Sequence, residues 1–177
     1  MKRITTILLI IASLTLILTC SCQNDKATAQ LEEYKAALKK SEANKAVAER
    51  FHNDLSLQRK WELADEFLAA DIVLHVPGTG DMKGIEAIKS FDEMYASMKN
   101  AEINHHEIIA EGDYVFIRWD MAFDNTDDLM GIPATGKRIS NVGGMDLFLI
   151  KDGKIKEFWQ FYDEMGFMKQ LGVIPSE

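Results

Sequence analysis

The chain has 177 residues, 47% of them hydrophobic, and carries 28 acidic against 20 basic side chains for a formal net charge of −8. An acidic balance with no basic stripe repels phosphate backbones, which excludes a nucleic-acid partner. The two cysteines, Cys20 and Cys22, both lie at the N-terminal end, so the rest of the chain offers neither a disulfide nor a thiol nucleophile.

Lys2 and Arg3 precede an uncharged apolar run over residues 4–18, followed by the small residues Thr19-Cys20-Ser21-Cys22. That order is the one a bacterial lipoprotein signal needs, and the run is shorter than a comfortable membrane span of about 20 residues. Ser21 before Cys22 suits cleavage and thioether lipidation better than Thr19 before Cys20; the alternative is an uncleaved anchor helix. Either outcome puts the domain in the cell envelope, held to a membrane outside the cytoplasm, at the outer membrane or on the periplasmic face. The expected organisation is a signal over residues 1–21, a short polar tether over 22–30, and one domain over 31–177. Cleavage would remove two cations and no acid, leaving 18 positive side chains against 28 acids and a charge of about −10. A remainder of roughly 155 residues is large enough to bury one core without a staple.

Leu31, Tyr34 and Leu38, then Val47, Phe51 and Leu55, recur at helical spacing, so residues 31–57 read as one long or two consecutive helices. Trp61, Ala64, Phe67 and Leu68 give a second, short helix. Residues 71–77 read as a brief strand ended by Pro77, and residues 78–84 as a loop. Ile85, Ile88, Phe91, Tyr95 and Met98 form the stripe of a third helix. From residue 102 the chain turns to strands, over 102–110, 114–124, 137–150 and 154–163. In the second of these Val115, Ile117, Trp119, Met121 and Phe123 share the face expected to be buried. Asp152-Gly153 is a hairpin turn, and Gly143-Gly144 suggests a bulge or bend. Residues 164–171 make a last helix stopped by Gly172. Helices followed by a meander of long strands give an α+β fold: a curled, mostly antiparallel sheet wrapped around N-terminal helices.

Gly131-Ile-Pro-Ala-Thr-Gly-Lys137, Asp152-Gly-Lys-Ile155, Glu157-Phe-Trp159, Asp163 and Gln170-Leu-Gly172, with His75-Val-Pro77 upstream, together resemble the SnoaL-like polyketide cyclase or ester cyclase family of the nuclear-transport-factor-like superfamily. The resemblance covers roughly residues 44–173. It implies a cone-shaped α+β barrel, a deep pocket for a small apolar molecule, and a homodimer formed through the outer face of the sheet. Founding members of the family close a ring by an intramolecular aldol reaction without metal or cofactor, using a pocket aspartate. Counting back from Gln170-Leu-Gly172 puts that position on Gln160, whose amide orients a carbonyl but exchanges no proton at accessible pH.

The residues themselves suggest further site candidates. His75 is either a pocket base or a hydrogen-bonded strand histidine. Asp146, inside the apolar run Met145-Asp-Leu-Phe-Leu-Ile150, either meets a partner in the interior, with a pKa useful for proton transfer, or points outward. Trp119, Trp159 and Tyr162 either line a substrate pocket or fill the core. Asp163 is either catalytic or the cap of the last helix. His105 and His106, adjacent on a strand, point to opposite faces and cannot chelate a metal as a unit. The segment 131–137 has the glycine and lysine spacing of a phosphate loop, but Arg138 replaces the required Ser/Thr, Pro133 removes an amide donor, and a strand follows in place of a helix. Two classes of function remain: a cofactor-free cyclase or isomerase with His75 and Asp146 as proton carriers and Gln160 and Tyr162 as orienting donors, or a non-catalytic ligand-binding or oligomerising interaction domain.

Overall fold

The computed structural model describes the backbone of residues 2–175 and the side chains of residues 25–175. Two compact units divide the chain, Met1–Lys40 and Ser41–Glu177. Helix α1 spans Lys2–Arg50. In the first unit Leu31, Tyr34 and Leu38 are exposed, beside a solvent-facing Lys35–Glu32 pair. The apolar run 4–18 and the cysteines Cys20 and Cys22 lie outside the residues whose side chains are described. Among the described residues no helix is long and apolar enough to cross a membrane.

The second unit is an α+β domain. From the end of α1 the chain widens into a π-helical segment, Phe51–Leu57, then passes through a 3-10 turn, Trp61–Leu63, and the short helix α2, Ala64–Phe67. Six strands follow, β1 Leu68–Val76, β2 Gly80–Lys83, β3 Lys99–Glu111, β4 Tyr114–Asn125, β5 Lys137–Lys151 and β6 Lys154–Tyr162, with helix α3, Ile85–Glu93, between β2 and β3 and helix α4, Glu164–Gln170, at the end. They form one sheet in the order β2-β1-β6-β5-β4-β3, antiparallel throughout except for the parallel pair β1–β6. The segment expected to be a loop therefore contains β2, which pairs with β1 through the turn at Gly78 (φ 82). Helix α3 stops at Glu93, so Tyr95 and Met98 sit in the turns after it.

One face of the sheet packs on the helical segment. Val115, Ile117 and Trp119 of β4 and Phe148 and Phe158 of β5 and β6 meet Ala48, Phe51 and Leu55 in a single cluster. Full burial of each such large apolar side chain stabilises the fold by about 1.5–3 kcal/mol, so this cluster anchors the helix to the sheet. Phe123 is fully buried in a second cluster with Ile139, Val142 and Phe167, whereas Met121 is only half-buried, because it borders a cavity.

The bend in β5 is not at Gly143-Gly144, which pair regularly with Asp120 and Trp119. The register shift lies just before them, where Ser140 and Asn141 stand against Ala122 and Asn141 takes φ 54. Gln170 clamps this bulge: its side chain accepts from Ser140 N at 3.0 Å and donates to Ser140 O at 2.9 Å. The loop between β4 and β5 is held in the same way by the buried Asn125, whose Oδ1 accepts from Thr135 N and Thr135 Oγ1 at 2.7 and 2.8 Å. At the β5–β6 hairpin Asp152 (φ 53) and Gly153 (φ 76) supply the two positive φ angles such a turn requires.

Candidate functional site

Ala48, Phe51, His52 and Leu55 are spaced i, i+3, i+4, i+7, so His52 falls on the buried face of its helix. The π-helical widening begins beside it, a feature that recurs at functional sites. On β5, Met145 and Leu147 face solvent, so the alternation of the strand turns Asp146 inward, and its exposure is 0%. Three polar side chains converge there. Asp146 Oδ2 accepts from His52 Nε2 at 2.7 Å and from Trp119 Nε1 at 2.9 Å, while Oδ1 is buried with no hydrogen-bond partner among the described residues. His52 Nδ1 lies 2.8 Å from His105 Nε2, and His105 Nδ1 is 4.0 Å from Glu49 on α1.

The carboxylate can only accept, so His52 carries its proton on Nε2 when neutral and presents a lone pair at Nδ1 to the N–H of His105. Burial, with a smaller electrostatic contribution from the neighbouring His52, pushes the pKa of His105 down and favours its neutral form. The result is a directed chain, Asp146–His52–His105, leading from the interior toward the surface.

His52 also lines a cavity of about 120 Å³, bordered mainly by apolar side chains of the helices and of β1, β3, β4, β5 and β6. A few polar groups break its apolar wall: Ser56, Arg59, Asp92, Gln160 and the hydroxyls of Tyr95 and Tyr162. The two tyrosine hydroxyls interact, and burial raises the pKa of both, so both stay protonated. Phe91, Tyr95 and Tyr162 also border a neighbouring cavity of about 350 Å³ that includes Met94, Met130 and Met168.

At the helical side of the cavity Arg59 adopts φ 58, a left-handed conformation unusual for a long side chain. The turn is held by Arg59 N on Leu55 O at 3.1 Å and Trp61 N on Arg59 O at 2.9 Å. Arg59 Nη1 then donates to the carbonyl of Asp92 at 2.7 Å and forms a close ion pair with Asp92 Oδ2, which also accepts from Trp61 Nε1 at 3.3 Å. Burial nevertheless outweighs the guanidinium and holds the Asp92 carboxyl up at about 6.

The residues singled out from the sequence separate onto two faces of the sheet. Asp146, Trp119, Gln160 and Tyr162 lie on the inner side, where the last three line the cavity. His75 and Trp159 are neighbours across β1 and β6 on the opposite side, with rings stacked 5.0 Å apart. His75 Nδ1 is bonded to Asp81 at 2.7 Å, so His75 and Asp146 do not share a cavity. Asp163 is exposed and caps α4, accepting from Gly166 N at 2.9 Å. His105 turns in to His52 and His106 turns out to Asp120. Sequence reading missed His52, Arg59 and Asp92; only the helical spacing of His52 with Ala48 and Leu55 gave a signal. Among the described residues no group of three or more His, Cys, Asp or Glu side chains is placed to hold a metal.

Comparison with known proteins agrees with this architecture. The family model described as SnoaL-like polyketide cyclase matches residues 46–171. A Jannaschia sp. CCS1 protein assigned as a SnoaL-like polyketide cyclase superposes with a TM-score of 0.68 at 19% identity, over 76% of this chain and 95% of its own. TsrD from Streptomyces laurentii gives 0.64 at 26% identity, over 75% and 96% of the two chains. An LEH-like epoxide hydrolase from M. tuberculosis gives 0.58 at 20% identity, over 77% and 99%. No curated protein sequence matches the chain. The family model spans well over half of the residues and coincides with the sheet, the loop clamps and the cavity, and the chain belongs to the SnoaL-like polyketide cyclase family.

Proposed function

We propose that the domain is a cofactor-free acid/base enzyme acting on a small, largely apolar carbonyl compound, with the Asp146–His52–His105 chain as its proton store. The observation that carries this reading is a wholly buried carboxylate bonded at 2.7 Å to an imidazole that lines an apolar cavity. A carboxylate in that position orients the ring, selects its tautomer and stabilises the imidazolium that forms when the ring takes a proton. With Nε2 committed to Asp146, His52 gains or loses its proton at Nδ1, where His105 sits until a ligand group takes its place. Gln160 and Tyr162 supply an amide and a hydroxyl that orient a carbonyl oxygen. Removal of an α-proton and return of a proton elsewhere is the step common to cyclase and isomerase chemistry, and it needs no cofactor.

The test is deuterium exchange at the α-carbons of 2-tetralone in D2O, followed by proton NMR. Acceleration over buffer by the wild type, reduced at least tenfold in His52→Gln, is expected; no acceleration overturns the reading.

A second reading is a binding domain without turnover. It is favoured by Gln160, an amide where the family resemblance places a carboxylate, and by the engagement of both His52 nitrogens within the protein. Apolar-ligand binding without exchange would support it.

Two further expectations belong to the same proposal. Removal of residues 1–21 and lipidation of Cys22 would hold the domain in the cell envelope. A homodimer would cover the outer face of the sheet, where Ile109, Tyr114, Met145, Leu147 and Phe161 stand exposed on four adjacent strands.

A further inference from the structure

The cavity contains a carboxyl that the His52 chain does not use. Asp92 reaches it from the end of α3, and its two oxygens are treated differently. Oδ2 is committed to Arg59 and Trp61, two donors that fix the plane of the group, while Oδ1 accepts no hydrogen bond among the described residues. Arg59 spends a positive φ in reaching this position and is held there by the carbonyl of Asp92 as well as its carboxylate. Both nitrogens of His52 are bonded within the protein, and Gln160 cannot exchange a proton, which leaves Asp92, among the described residues, as the lining carboxyl with an oxygen not bonded to them.

We propose that Asp92 exchanges protons directly with the ligand, Oδ1 facing the reacting carbon while Arg59 and Trp61 position the group through Oδ2. This rests on the acid/base reading above and deepens it, assigning ligand contact to a helix-borne carboxyl. In the exchange step the α C–H bond of a ketone breaks, its proton passes to Oδ1, and the electron pair becomes the enolate. A deuteron acquired from solvent by the carboxyl then returns to carbon. No oxidant or co-reactant is needed. Burial, opposed by Arg59 and reinforced by Glu93, raises the carboxyl to about 6, and Tyr95 stands beside it as a neutral phenol. A carboxylate desolvated to that degree is a stronger base than one in water, and still ionised at neutral pH.

The test uses 2-tetralone exchange with the full chain, as a function of pH. In the wild type the rate should rise through a break near pH 6. Asp92→Asn should lose at least tenfold and lose the break, whereas His52→Gln should lose rate but keep it. An Asp92→Asn profile matching wild type overturns the assignment and leaves the acid/base reading standing; a wild type that exchanges nothing overturns both. Should Asp92→Asn fail to fold, the wild type itself decides. Dicyclohexylcarbodiimide adds to a protonated carboxyl in apolar surroundings, nothing being released as the adduct rearranges to an N-acylurea. Peptide mapping after reaction at pH 5.5 should find the adduct on Asp92 and show protection by 2-tetralone, and an unlabelled Asp92 overturns the proposal.

Discussion

The indole of Trp119 lies against the backbone of Gly144 on the adjacent strand, so closely that a Cβ built on the glycine would sit 2.2 Å from ring carbon Cζ2. The glycine is there for the ring. Gly144→Ala should force the indole aside, break its 2.9 Å bond to Asp146 and cost about 1–3 kcal/mol, the usual range for overpacking. Urea unfolding measures it, and a loss under about 0.5 kcal/mol would contradict the packing.

Trp119→Ala removes a nearly buried ring and the same hydrogen bond, and should cost about 3–5 kcal/mol. Fluorescence-monitored unfolding, through the two remaining tryptophans, gives the value.

Asp146→Ala leaves the buried Nε2–H of His52 and the indole N–H of Trp119 without their acceptor. Stripping one partner from a buried pair costs about 3–5 kcal/mol. His52→Leu should be milder than Asp146→Ala, and the double variant should cost clearly less than the two singles together, because the pair acts as a unit. Strict additivity in that cycle would show that the two side chains do not interact.

Asp92 gives stability a particular pH dependence. Its folded pKa, about 6, lies above the ordinary 3.8, so the folded protein holds the proton more tightly. Its contribution is fully present below about pH 4 and is lost as pH rises through 6, with a ceiling on the order of 3 kcal/mol. His105 works in the opposite direction, since its depressed pKa costs stability as pH falls through the ordinary imidazole range. The comparison that isolates Asp92 is therefore wild type minus Asp92→Asn between pH 4 and 7. A difference that stays flat would show the carboxyl to be unperturbed.

Phe161→Glu and Leu147→Lys place charges on the outer face of the sheet, away from the cavity. Sedimentation of the wild type should give a dimer and of each variant a monomer, with the fold intact by circular dichroism. A monomeric wild type would remove the proposed interface.

For the N-terminal segment the measurement is mass spectrometry of the membrane fraction. A chain beginning at a lipid-modified Cys22 is expected, and an intact Met1 would rule the proposal out.

Three of the motifs that carry the family resemblance have structural roles. Asp152-Gly153 closes a hairpin, Gln170 clamps the bulge at Ser140, and Asp163 caps α4. Each acts within a few residues or through one backbone contact, and such local geometry is written in the identity of the residue. The α+β order, the inward face of β4 and the family were legible for the same reason, because period-2 and period-3.6 patterns are local properties of a chain. The site is different in kind. Asp146 and His52 are 94 residues apart in sequence, and Arg59 and Asp92 are 33 apart. Nothing in either local pattern says which histidine will meet Asp146, and the sequence suggested His75, which the parallel pairing of β1 with β6 stacks on Trp159 across the sheet. Residue type and strand alternation by themselves determined that Asp146 either meets a partner inside or faces water. Only the docking of the π-helical segment against the sheet decided that it faces in and that His52 is its partner, because a side-chain contact depends on the relative position of two elements that local periodicity does not encode.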